Sequence, residues 1–230
     1  MKFRSRILLL ICVAIAFETT SLSAQDPEPR PTPRNVVIIG KPVPPKETIE
    51  KIELSELVFP NSQIGNTKFV NGELFMGSKR KGYYYVLAAP EGYITIGGKA
   101  RVTLRNLQAA RSSLGYGIVF HSDITPLQQG YAFVINTVTQ KYRVVHHIPG
   151  DEKTLVPWKV SPFIKTGKAQ NTLEIRDKGP VTELYINDNL VDSVKNTFAF
   201  KNGVVGLYSG DAVTIAFSDL TVTIVDPTKP

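Results

Sequence analysis

The chain has 230 residues, 27 basic against 20 acidic side chains for a formal charge of +7, 42% hydrophobic residues and one cysteine. The length is ample for one buried core, so a single domain is expected. One cysteine excludes an intrachain disulfide framework, and the modest, dispersed positive charge gives no indication of nucleic-acid binding.

The N-terminus places Lys2, Arg4 and Arg6 ahead of an apolar run from Ile7 to Phe17, followed by the small, polar stretch TTSLSAQ. This pattern reads as a secretory signal peptide over residues 1–24, cleaved after Ala24, with cleavage after Ser23 as the competing reading because Leu22 is large for its place. The apolar run is about half of the roughly 20 residues that a spanning helix needs, so no transmembrane segment is expected after cleavage. Cys12 follows Ile11 rather than a small residue, which argues against a lipid-modified start. Removal of residues 1–24 takes away Cys12 and leaves 24 basic against 19 acidic residues, a formal +5. A cysteine-free exported chain without an Asn-x-Ser/Thr sequon points to a secreted or periplasmic protein of bacterial type.

Residues 25–46 carry Pro27, Pro29, Pro31, Pro33, Pro42, Pro44 and Pro45 and read as an extended, polyproline-like linker. Within it, NVVIIG at 35–40 is β-branched enough to add an edge strand to the domain itself or to a partner. The spacing of Ile49, Ile52, Glu53 and Glu56 predicts a short helix within 46–57 with Thr48 as cap, and a strand over 52–59 competes. The domain proper is placed at 47–226, with 227–230 as a tail.

From Asn61 onward the pattern predicts strands near 67–70, 73–76, 83–89, 92–97, 100–107, 115–121, 130–137, 141–147, 171–177, 181–187, 203–209 and 212–225. Asn71-Gly72, Gly97-Gly98, Lys178-Gly179-Pro180, Asp188-Asn189 and Asn202-Gly203 supply turns between them. Many short strands at this spacing mean an antiparallel sandwich or barrel. Alternation puts Tyr116, Ile118 and Phe120 on one face and Val119 and His121 on the other, and sets Thr182, Leu184 and Ile186 toward a core. In the last strand the apolar parity changes from Val213, Ile215 and Phe217 to Leu220, Val222 and Ile224, which predicts a bulge at Ser218-Asp219.

Asn171-Thr172-Leu173-Glu174-Ile175, Leu184-Tyr185-Ile186-Asn187-Asp188 and Gly203-Val204-Val205-Gly206-Leu207-Tyr208 carry a resemblance. The stretch of about residues 100–225 resembles the concanavalin A-like lectin/glucanase superfamily, in particular bacterial extracellular laminin-G-like or family 16 hydrolase-like domains. The resemblance implies an all-β, two-sheet antiparallel jelly-roll sandwich. It does not carry a reaction, because the E-x-D-x-x-E strand of family 16 glucanases and the N-S-G-I strand of keto-disaccharide hydrolase-like domains are both absent.

Glycoside hydrolysis needs two carboxyl groups facing each other across a cleft. Glu174 and Asp177 lie three apart on an extended strand and face opposite sides, and Glu183 lies across the next turn. His146 and His147 are adjacent and point to opposite faces, so they cannot share a metal ion. No G-x-S-x-G elbow, exported cysteine nucleophile or phosphate-binding glycine loop occurs. Calcium is a weak candidate ligand for Asp211 or Asp219; no other cofactor is expected.

Binding asks for less: an aromatic platform and a few polar groups. Trp158, read as lying in the loop LVPWKVSP, is the platform candidate, with covering of the core edge as the competing role. Parity sets Arg143 with Val145 and His147, where His121 and Asn136 join them if that face is the concave one. Lys79-Arg80-Lys81 beside Tyr83, Tyr84 and Tyr85 offers a cation-rich edge for an acidic polymer, or a charged hairpin tip. The sequence thus predicts an exported, non-catalytic, lectin-like sandwich that binds carbohydrate or an extracellular protein. A glycoside-processing enzyme and a structural interaction module are the alternatives.

Overall fold

A computed structural model describes residues 46–59, 62–90, 97–124, 129–197 and 203–226. The signal peptide, nearly all of the linker with NVVIIG, the expected strand at 92–97 (all but its last residue) and the tail lie outside the described residues.

Fourteen strands follow one another: β1 Lys46–Lys51, β2 Gly65–Val70, β3 Glu73–Ser78, β4 Tyr84–Ala88, β5 Lys99–Asn106, β6 Tyr116–Ser122 and β7 Gly130–Asn136, then β8 Lys141–Ile148, β9 Asp151–Val160, β10 Asn171–Asp177, β11 Val181–Ile186, β12 Asn189–Lys195, β13 Val204–Gly210 and β14 Ile215–Asp226. One 3-10 turn, Leu54–Leu57, follows β1. An eight-stranded sheet runs β12-β11-β10-β5-β14-β3-β2 with β1 on β14, and a six-stranded sheet runs β4-β13-β6-β7-β8-β9. All strand pairs are antiparallel, and the protein is an all-β two-sheet sandwich.

The inner faces make the core. The eight-stranded sheet contributes Leu74, Met76, Val102, Leu104, Ile175, Leu184 and Phe217, and the six-stranded sheet contributes Ile118, Phe120, Phe133, Ile135, Val144 and Leu207. In β5 the alternation is complete, with Ala100, Val102, Leu104 and Asn106 buried and Lys99, Arg101, Thr103 and Arg105 toward solvent. The six-stranded sheet is different: β6, β7 and β13 are buried at every position. Their outward residues Val119, Ala132, Val134 and Tyr208 pack with Val145 of β8 and Val86 of β4 into a second apolar cluster against Tyr84 and Trp158. This second covered face positions the candidate site.

Residues 46–51 form a strand where the spacing predicts a helix. β1 pairs with β14 from Lys46↔Asp226 to Lys51↔Thr221, and the Ile52 amide donates to the Leu220 carbonyl at 2.9 Å. The edge groups of β14 need partners, and extended backbone with β-branched Thr48 and Ile49 supplies them where an isolated helical turn would not. In β14 the register steps between Phe217 and Asp219, leaving Ser218 as the extra residue, so Ile215, Phe217, Leu220 and Val222 all reach the core.

Candidate functional site

Trp158, expected in a loop, stands instead on β9, the edge strand of the six-stranded sheet. Pro157 is tolerated there because an edge strand leaves amide positions unpaired, and the pairing of β8 with β9 shifts register between Tyr142 and Val144 and again between Val144 and Val145. The indole is seated over Gly115 and Val134; a Cβ at Gly115, whose φ is +82, would meet the Trp158 ring at 3.0 Å and a Val134 methyl at 2.8 Å.

Arg143 and His147 share the outward face of β8 with Val145 and join Trp158 there, as parity predicts. The Arg143 guanidinium lies 5.2 Å from the Trp158 ring centroid, donates through Nη1 to Glu152 Oε1 at 2.9 Å and through Nη2 to the Leu114 carbonyl at 3.1 Å. His147 Nδ1 lies 3.9 Å from Glu152 Oε2. Its ring centroid is 4.6 Å from that of Tyr84 on β4 and 5.7 Å from that of Tyr208 on β13, and the two tyrosines stack at 5.3 Å. Side chains from four strands therefore converge over a floor of small residues.

Several polar atoms in this convergence are buried without a well-formed hydrogen bond: the Tyr208 hydroxyl, both His147 ring nitrogens and Arg143 Nε, with the Arg143 guanidinium close enough to the Tyr208 hydroxyl to act on its titration. Buried polar groups are nearly always bonded, so this concentration beneath one face is unusual; the atoms themselves are covered, and the half-buried Tyr84 and Trp158 rings are what the face presents. The electrostatics keep His147 and Tyr208 neutral beside the charged Arg143. Burial, with the charge of Arg143 and the neighbouring His146, pushes the His147 pKa down to about 4. Burial likewise raises the Tyr208 phenol well above its ordinary value, and raises Tyr84 with help from Glu152. At neutral pH a neutral imidazole and phenol thus lie beneath the face, and the half-buried phenol of Tyr84, able both to donate and to accept, lies at it.

Asn136 also faces outward, but its amide is spent: Nδ2 donates to the Ser112 carbonyl at 2.6 Å, and Oδ1 accepts from the Val138 and Thr139 amides. It clamps the β7–β8 turn and lies beside the site rather than within the cluster.

His121 departs from the expectation. A bulge in β6, where Val204 pairs with Ser122 but Gly206 pairs with Val119, gives His121 a φ of +46 and turns it inward. Its Nε2 lies 3.4 Å from Thr182 Oγ1 and 3.8 Å from Asp177 Oδ2, between the sheets. Simple alternation fails there because the bulge inserts a residue.

Asp211 is consumed by the protein. Its carboxylate accepts from the Gly82, Ser113 and Leu114 amides and from the Ser112 and Ser113 hydroxyls, between 2.6 and 3.3 Å. Burial alone would raise its pKa, but these bonds outweigh it and hold the acid below the ordinary range. Asp219 pairs with Lys51 at 3.9 Å. Among the described residues no group of three or more His, Cys, Asp or Glu is arranged to hold a metal ion.

Tyr84, one of the three tyrosines beside the basic cluster, completes the site with Tyr208 and Glu152, which the sequence reading does not single out. Tyr208 was legible, since it follows the core residue Leu207 in a strand and so must face outward. Glu152 lies in a polar stretch, DEKT, without periodicity.

Below Trp158 the face continues into a hollow of about 180 Å³ lined by Arg111, Ser112, Ser113, Asn136, Thr139, Lys141 and Trp158.

No protein-family model matches the chain, and no curated protein sequence matches it. Solved structures do. A Bacillus subtilis protein of unknown function with a galectin-like fold superposes with a TM-score of 0.52 at 8% identity, covering 78% of this chain and 90% of that one. A protein solved in work on endo-acting O-glycanases that human gut microbiota express to initiate mucin breakdown superposes with a TM-score of 0.50 at 9% identity, over 78% of this chain and 99% of that one. The Bacillus subtilis carbohydrate binding module CBM66 has a TM-score of 0.49 at 16% identity, over 73% of this chain and 99% of that one. At these identities the likeness to the first two shows the fold alone, a two-sheet β-sandwich.

Proposed function

We propose that the protein is an exported, non-catalytic carbohydrate-binding sandwich and that the outward face of the six-stranded sheet is its binding surface. The observation that carries this reading is the outward face itself, where the half-buried rings of Tyr84 and Trp158 lie over neutral His147 and Tyr208 beside the Arg143–Glu152 pair. A sugar presents apolar C–H faces and hydroxyls that donate and accept together, which suits half-buried aromatic rings with a phenol hydroxyl among them. Glu152 is committed to Arg143, so the acidic group at the cluster is held as a fixed acceptor rather than paired with a second carboxyl across a cleft. The reading requires neither the narrower laminin-G-like or family 16 hydrolase-like placement nor a metal.

The test is a glycan array probed with the purified protein, with and without calcium, beside a Trp158→Ala variant of unchanged melting temperature. Selective glycan binding that the variant loses supports the proposal. Binding to no glycan under either condition overturns it, and an extracellular protein partner then becomes the better reading.

A further inference from the structure

The hollow below Trp158 differs in charge from the cluster above it. Arg111 and Lys141 line it, and neither has an acidic partner among the described residues. Of the nearby acids, Glu152 is paired with Arg143, while Asp211 stays an anion with its oxygens taken up by five donors and lines the adjoining cavity, so the cations of the two hollows outnumber the one acid there. A third cation, Lys81, shares the adjoining cavity of about 500 Å³, which Arg111 and Ser113 also line. Arg143, nine-tenths buried with Nε unpartnered, stands between this basic end and the neutral cluster, stacked on the same indole. The surface therefore has two chemical halves joined at Trp158. His147 and Lys141 lie six residues apart on β8, roughly 20 Å along an antiparallel strand, which is longer than one sugar ring.

Resting on the carbohydrate reading above, we infer that the ligand is an acidic oligosaccharide, with a carboxylate or sulfate seated between Arg111 and Lys141, one ring against Trp158 and a further unit over Tyr84. Two unneutralised cations in a hollow attract a fixed anion and discriminate against the same sugar without charge, because the neutral ligand leaves them unpaired. Arg111 adds a planar fork suited to carboxylate or sulfate, and Lys141 a point charge.

The decisive experiment titrates the purified protein with matched pairs: polygalacturonate against its methyl ester, and chondroitin sulfate against its desulfated form, with polyglutamate as a polyanion without sugar. The expected result is binding of an acidic glycan at least about tenfold tighter than its neutral partner and than polyglutamate, weakening as salt is raised. An Arg111→Ala/Lys141→Ala double variant, with melting temperature unchanged, should erase the preference for the acidic member, while Trp158→Ala weakens both members of a pair. Equal or better binding of the neutral glycans, lost in Trp158→Ala, overturns the acidic assignment and leaves the carbohydrate reading standing. Equal binding of polyglutamate, or an acidic preference that survives the double variant, also overturns the assignment. Binding of none of these probes, together with a blank glycan array, ends both readings.

Discussion

His147 is neutral in the folded protein because burial and the charge of Arg143 oppose its protonation, and this has a consequence for stability. An unfolded imidazole takes up its proton near pH 6.5, whereas in the native state the pKa is about 4. As the pH falls from 6.5 to about 4 the unfolded state binds the extra proton, so native stability present above 6.5 is lost through that window, by on the order of 3 kcal/mol. His121 and His146 are depressed in the same direction, also first by burial, so the diagnostic is a difference between proteins. Urea midpoints measured across the window should fall less steeply in His147→Gln than in the parent; equal slopes would refute the placement of this side chain. Asp211 makes a second prediction. Its removal leaves three backbone amides and two hydroxyls without their acceptor, so Asp211→Ala should destabilise by about 2–4 kcal/mol in a denaturant melt. A loss below about 0.5 kcal/mol would mean that loop waters replace it with ease.

At the scale of elements, alternation located the strands whose two faces differ and failed where context sets the conformation. β5 and β11 read correctly because a buried face opposes a solvated one. β9 and β12 carried no such signal: both are sheet-edge strands with largely exposed residues, and β9 also contains Pro157. The helix expected at 46–57 lost to an unpaired stretch of β14, a long-range requirement that local spacing does not contain. The inward turn of His121 was hidden for the same reason, since the bulge is defined only against β13. The bulge in β14 was legible because the core residues themselves change parity there. It also gives a direct test: deleting Ser218 removes the extra residue and sends either Ile215 and Phe217 or Leu220 and Val222 to the wrong face. The deletion variant should lose its cooperative thermal transition, and a variant that melts as the parent does would contradict the register.

For the molecule as a whole, the sandwich was legible from turn chemistry and alternation, and part of the candidate face was too, because Arg143 and His147 follow from parity on one strand. The convergence of Tyr84, Tyr208 and Glu152 was not, since it joins strands far apart in sequence. What separates the two sheets is how they treat their outer faces: the eight-stranded sheet shows alternating charged residues such as Arg101 and Arg105, and the six-stranded sheet gathers aromatic rings and unpartnered polar atoms. The central claim is that the outer face of the six-stranded sheet binds a ligand. The most direct measurement is a calorimetric titration of the best-binding array glycan into the parent and into Tyr84→Phe, which keeps the ring and removes the hydroxyl of a half-buried side chain at this face. The account predicts an unchanged or higher melting temperature for the variant and about tenfold weaker binding. Unchanged affinity would show that the ligand does not engage this hydroxyl and would contradict the proposed site.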